Sequence, residues 1–205
     1  MFGIKKISEW GGIAASVVLI AFGIGAVYMG VDGRSTVRDS LKAEQITFGA
    51  TDDPAVAEFA SQWAEKPLRT GAQARAFAQI MHEHALEASD GLAYSQMGRF
   101  VSAKDPQSPA GTSDEAAALK DEKGNPVSNS ARNTWVTETA LSTALNVSYM
   151  AEQMALFGIV VGIALLLSGF GFIILALGGA LRGREVAPVV KREQTGATKP
   201  AAAIS

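Results

Sequence analysis

Two stretches of the chain carry no charged side chain. Residues 10–31 form a run of 22 and residues 153–181 a run of 29, both rich in aliphatic residues and glycine. About 20 apolar residues in a helix cross a hydrocarbon core of about 30 Å, so each run suffices for a membrane span. Nothing between them approaches that length. Trp10 and Tyr28 stand near the two ends of the first run, 18 positions apart. At about 1.5 Å per residue that is roughly 27 Å, a spacing suited to the aromatic belts at the two membrane faces. The first run is longer than the apolar region of a signal peptide, so it is expected to be an uncleaved anchor.

Between the runs the pattern of apolar and polar positions predicts helices. The first span is expected to continue outward through 35–45, which holds no proline. Asp53-Pro54 reads as a helix start, with Asp as N-cap and Pro in the first turn. Val56, Phe59, Ala60 and Trp63 then recur at helical spacing, and Lys66-Pro67 is expected to end that helix. Thr70 and Gln73 have capping-box spacing. The helix they open places Phe77, Ile80, Met81 and His84 on one face, up to Asp90-Gly91. Residues 102–130 are punctuated by proline and glycine and predict mostly loop, with a turn at 121–126 and two turns of helix over 113–120. Helix resumes near Asn133 and runs into the second span. The residues after Arg184 are rich in Ala, Pro, Thr and charge, which predicts disorder.

Charge orients this arrangement. Residues 32–152 carry 11 Lys/Arg against 17 Asp/Glu, whereas the two ends carry 7 against 3. Basic residues beside membrane helices favour the cytoplasm. Lys5 and Lys6 before the first span and Arg182 and Arg184 after the second place both ends inside. The expected organisation is a cytoplasmic start (1–9), a first span (10–31), an extracytoplasmic helical domain (32–152), a second span (153–181) and a cytoplasmic tail (182–205). The fold class is thus an all-α membrane protein, an antiparallel two-helix transmembrane hairpin bearing a small outer domain. An acidic outer domain offers nucleic acid no electrostatic footprint. The chain has no cysteine, which removes disulfides, thiolate metal sites and cysteine nucleophiles together.

Glycines inside the spans carry a further signal. At 100° per residue, Gly12, Ser16, Gly23 and Gly30 lie within about 40° of one line, as do Gly158, Gly162, Gly169 and Ala176. Small residues let membrane helices approach closely. Such stripes serve packing within one chain or between copies in a homo-oligomer. Neither span holds a charged residue, and charged groups within a membrane mark transport and proton paths.

The segments 84–87 (HALE), 92–94 (LAY), 96–100 (QMGRF) and above all 131–141 (ARNTWVTETAL), followed by the second span, resemble an actinobacterial family of two-helix membrane proteins of unknown function. The resemblance extends over most of residues 32–177 and implies a bacterial plasma membrane location. Members are sometimes labelled ring-opening dioxygenases. A non-haem iron site of that kind needs two convergent histidines and a carboxylate. The two histidines here, His82 and His84, are two apart on a helix and point about 200° from each other. His84 is expected on the buried face and His82 nearer water, with no metal and no cofactor. No Gly-x-Ser-x-Gly elbow and no phosphate-binding glycine loop occurs.

These readings favour contact over turnover. The expected function is that of a non-enzymatic accessory or scaffold protein, presenting its outer domain to another membrane or envelope protein. A tethered binding domain for a small ligand or envelope lipid is the alternative. Among the outer aromatics Phe59, Trp63, Phe77, Phe100, Trp135 and Tyr149, most are expected to fill the core, and Trp135 and Tyr149 are the candidates for an exposed partner patch. The orientation is tested by single cysteines at Ser113 and Ser205: an impermeant thiol reagent should label the first and spare the second on intact cells, and the reverse result refutes it.

Overall fold

The computed structural model describes residues 2–178, with side chains from Trp10 onward. The tail at 182–205 and the last three residues of the second apolar run lie outside the described residues. The described chain is all-helical with no strand. It is dominated by α1 (Phe2–Ala43) and α4 (Ser130–Leu177), with α2 (Pro54–Ala60) and α3 (Gly71–Ala88) between them. At about 1.5 Å per residue, the 42 residues of α1 and 48 of α4 reach roughly 63 and 72 Å, twice what a bilayer core needs. Both are long and apolar enough to cross a membrane. Each is unbroken where its apolar run gives way to polar sequence, at 31–32 and 152–153, so no break in the backbone marks the boundaries expected there.

Local chemistry sets the starts of the short helices. Asp53 caps α2 by accepting from the Ala55 and Val56 amides, with Pro54 in the first turn. Thr70 and Gln73 form a reciprocal capping box on α3. Asn129 caps α4 by accepting from the Ala131 amide at 3.1 Å, so that helix begins a few residues before Asn133. The stop of α2 differs from the expectation at Pro67. The helix ends at Ala60 and tightens to a 3-10 turn over Ser61–Trp63. This delivers the Trp63 ring to Phe48 and frees the next residues to pair backward. Phe48 donates to Lys66 O, Leu68 to Ile46 O and Glu65 to Gly49 O, tying the end of α1 to the start of α3.

The core gathers where these elements meet. Leu41 of α1, Phe48, Val56 of α2, Leu68, Ala74, Ala78 and Ile80 of α3, and Leu145 of α4 are all buried together. Phe59, Trp63 and Phe77 pack on that cluster partly buried, and Phe77 meets Phe48 edge-on at 5.5 Å.

Residues 97–129 form a loop unit held by isolated antiparallel bridges. The expected helix over 113–120 is absent. Leu119 instead donates to Val101 O and accepts from Val127, while Ala103 donates to Ala117 O, and Ala118 is buried. Long-range extended pairing has overridden a weak helical preference. The turn at 121–126 is present, with Gly124 at φ +83, a left-handed conformation that glycine adopts without penalty. Asn129 locks the unit to α4 by donating from its amide to Gly98 O and Pro109 O.

One carboxylate joins the long helices to the outer core. Glu152 of α4 is buried. Its Oε1 accepts from Arg34 Nε at 3.0 Å and Arg38 Nε at 2.8 Å, and its Oε2 accepts from the Gly71 amide at the first turn of α3. A Cβ at Gly71 would lie 2.8 Å from Tyr149 Cα, so glycine is what admits this approach. Desolvation pushes the Glu152 carboxyl up. The hydrogen bonds from Arg34, Gly71 and Arg38 outweigh that and hold it below the usual carboxylate range. Its contribution to stability is therefore present above the unfolded-state value and is lost as pH falls through the folded one. Glu152→Gln should cost about 1–3 kcal/mol, seen as a lower Tm in detergent. The variant should also lose less stability on acidification than the wild type, and a Tm unchanged from wild type refutes the role.

Candidate functional site

The first candidate surface is the contact between α1 and α4. Cβ atoms built on the glycines show how close the backbones come. One on Gly23 would lie 2.9 Å from Gly162 O, one on Gly30 2.6 Å from Ala155 O, one on Gly162 2.8 Å from Gly23 O, and one on Gly169 3.1 Å from Ser16 O. Gly158 lies opposite Ala26 and Gly30 with slightly more room. Ser16 is fully buried and donates to Gly12 O at 2.7 Å, while Gly12 itself is half-buried. Contacts rise along one helix as they fall along the other, so the helices lie antiparallel. The large apolar side chains point away: Val17, Phe22, Tyr28, Phe157, Val160 and Leu167 are all exposed. In water such a surface would far exceed the few hundred Å² of apolar patch usual on a soluble monomer.

The second candidate is the pair of histidines on α3. Both are about half exposed, which corrects the expected burial of His84. His84 Nε2 lies 2.9 Å from Asp53 Oδ2, the capping residue of α2, and this pairing draws the ring off the Phe77–Met81 face. Some desolvation of the Asp53 carboxyl is outweighed by the Ala55 and Val56 amides and the His84 ring, which lower it. His82 turns the other way. It packs edge-on against the Trp135 ring at 5.2 Å, with Nδ1 3.7 Å from the buried Glu138 carboxylate. The two histidines thus meet different carboxylates. Among the described residues no three His, Asp or Glu side chains converge.

Trp135 also departs from expectation. It is only 8% exposed, and its Nε1 donates to Leu92 O at 2.8 Å. That bond closes the end of α3 onto α4, so Trp135 belongs to the interior and not to an exposed patch. Tyr149 is half-buried beneath the Arg75 guanidinium, 5.0 Å from the ring centroid. Phe59, Trp63, Phe77 and Phe100 are partly buried.

What the sequence reading missed is the outer face of α4. From 133 to 151 every exposed residue is uncharged, including Val136, Ala140, Leu141, Val147 and Met150. The one acid in that stretch, Glu138, is turned inward. The signal lay in the scarcity of charge over these residues, but the helical phase of a long surface helix does not reveal which face stays unpartnered. Beside it, an apolar cavity of about 440 Å³ opens between the end of α1, α3 and α4, lined by Leu41, Ile46, Phe77, Met81, Leu141 and Leu145 among others.

No protein-family model, curated protein or solved structure matches this chain.

The seam between α1 and α4 has a direct test. Gly162→Leu places a branched side chain where Val27 and the Gly23 carbonyl already lie. Disulfide crosslinking between cysteines at Ala26 and Gly158 should fall sharply in that background, whereas Gly171→Leu, which meets nothing within 4 Å, should leave it unchanged.

Proposed function

We propose that the chain is a two-pass protein of the bacterial plasma membrane, of the two-helix family it resembles. On this reading α1 and α4 form an antiparallel transmembrane hairpin, both termini are cytoplasmic, and residues 32–152 stand outside as an accessory or scaffold domain without enzymatic activity. The outer face of α4 carries the reading. A helix of some 20 residues in water normally shows charge on its free side, yet here the free side is Val136, Ala140, Val147 and Met150 with uncharged polar neighbours. It continues directly into Met154 and Phe157, which are exposed at 72% and 69%. A surface of that kind suits a helix of another membrane protein that runs from the bilayer into the external space. The separation of His82 and His84 onto different carboxylates favours contact over turnover.

The apolar cavity between α1, α3 and α4 supports a second reading, a tethered binding domain for a small apolar ligand or envelope lipid. One experiment separates the two. A photo-reactive amino acid at Val147 or Met150 of the full-length protein in intact cells should give a discrete protein adduct, and one at Lys123 should not. A small-molecule adduct from Leu141, with no protein adduct at Val147 or Met150, favours the cavity and defeats the scaffold reading.

A further inference from the structure

The outer domain is acidic overall, yet two arginines stand close to the end of the first apolar run. Arg34 and Arg38 lie one helical turn apart on α1, and both give Nε to Glu152 Oε1. That leaves one buried negative charge facing two guanidiniums which are 40% and 41% exposed. Among the described residues, their Nη groups have no hydrogen-bond partner. Lys42 continues the same ridge one turn further out. It lines a polar cleft of about 310 Å³ together with Arg69, Gln45 and Thr47. The nearby acids of α1 point elsewhere: Asp32 is about 200° from Arg34 and Asp39 about 100° from Arg38 by helical phase.

The height of these groups is also informative. Counted from Val31, the last residue of the first apolar run, Arg34 lies roughly 4.5 Å and Arg38 roughly 10.5 Å further along the helix. The headgroup layer is about 5–7 Å thick on each side of the hydrocarbon. Arg34 therefore falls within it and Arg38 just beyond. The Glu152 bonds fix both guanidiniums at Nε, so little is left to immobilise when their Nη groups bind a ligand. A planar guanidinium edge matches two phosphate oxygens.

We propose that Arg34 and Arg38 form a binding site for the phosphate of an anionic phospholipid in the outer leaflet, with Lys42 and Arg69 further out adding only to the positive potential above it. The carboxylate that holds Arg34 and Arg38 is buried, and Lys42 and Arg69 share a cleft further out. Among the described residues the only acid paired with Arg34 or Arg38 is the buried Glu152, so two guanidiniums share one negative charge and the site selects a headgroup with net negative charge. The proposal rests on α1 and α4 being membrane spans. A full-length chain that stays soluble without detergent defeats that reading, whereas loss of lipid selectivity in an inserted protein defeats only this site.

The test is native mass spectrometry of the full-length protein in neutral detergent, offered phosphatidylglycerol, phosphatidylcholine of the same acyl chains, or inorganic phosphate. The wild type should retain phosphatidylglycerol at least about fivefold over phosphatidylcholine, and millimolar phosphate should not displace it. Arg34→Gln with Arg38→Gln should remove the preference, and Lys123→Gln should keep it. The first pair also strips Glu152 of its partners, so Lys42→Gln with Arg69→Gln, which leaves that carboxylate paired, should lower the preference at least about twofold. Equal retention of the two lipids by the wild type overturns the proposal. Displacement by phosphate alone overturns the lipid as its source. An unchanged preference in either folded double variant removes these residues from it.

Discussion

Glu152 is the point at which three elements share one charge. Taking a carboxylate out of water costs several kcal/mol unless its oxygens find good partners. Here α1 supplies two guanidiniums and α3 supplies the amide of its first turn. The consequence is geometric as much as energetic. The first turn of α3 carries an excess of positive potential from its free amides, and it is held against the two long helices where their apolar stretches begin. The core of Leu68, Ala74, Ile80 and Leu145 is therefore built upward from a fixed base. Gly71 is part of this constraint, since any side chain there would collide with the backbone of α4.

The long helices divide their work by side-chain size. Along the apolar runs, glycine and Ser16 face the partner helix with Ile20, Val27, Ile159 and Leu166 packed over them, while most aromatic and other bulky residues face outward, the arrangement expected where lipid is the solvent. Beyond the apolar runs the rule changes, and larger residues such as Leu41 and Leu145 turn inward. Both helices keep a continuous backbone across that change. The orientation of the outer domain is then set by helix packing rather than by a flexible linker.

The polar contacts of the outer domain act mainly as ties between distant segments. Asn129 spends its amide on Gly98 and Pro109 and its oxygen on the cap of α4. Trp135 reaches across to Leu92, and Arg132 holds Met97 O and the Tyr94 hydroxyl. Each tie fastens the loop unit of 97–129, or the end of α3, to the start of α4. With these ties made, the exposed side of α4 over 133–151 is left with uncharged residues, the observation on which the scaffold reading rests.

The elements that were legible from sequence are those decided by neighbours a few residues apart. The Asp53-Pro54 start, the Thr70–Gln73 box, the turn at 121–126 and the two apolar runs all depend on contacts within about four positions, or on composition over about twenty. Helical phase at a fixed angle per residue also placed Ser16, Gly23, Gly30, Gly162 and Gly169 on common faces before any tertiary contact was known. Other features were settled by partners far away in the chain. Asp53, 31 positions away, drew His84 off the apolar face. Leu92, 43 positions away, took the Trp135 indole into the interior. Val101 and Val127 claimed the backbone of Leu119 and cancelled the helix expected over 113–120. Arg34 and Arg38, more than a hundred positions away, made Glu152 a hub rather than the last charge before an apolar run. A buried polar group must find a partner wherever the fold brings one within reach, and that reach is a property of the assembled helices, not of the residues beside it in the chain.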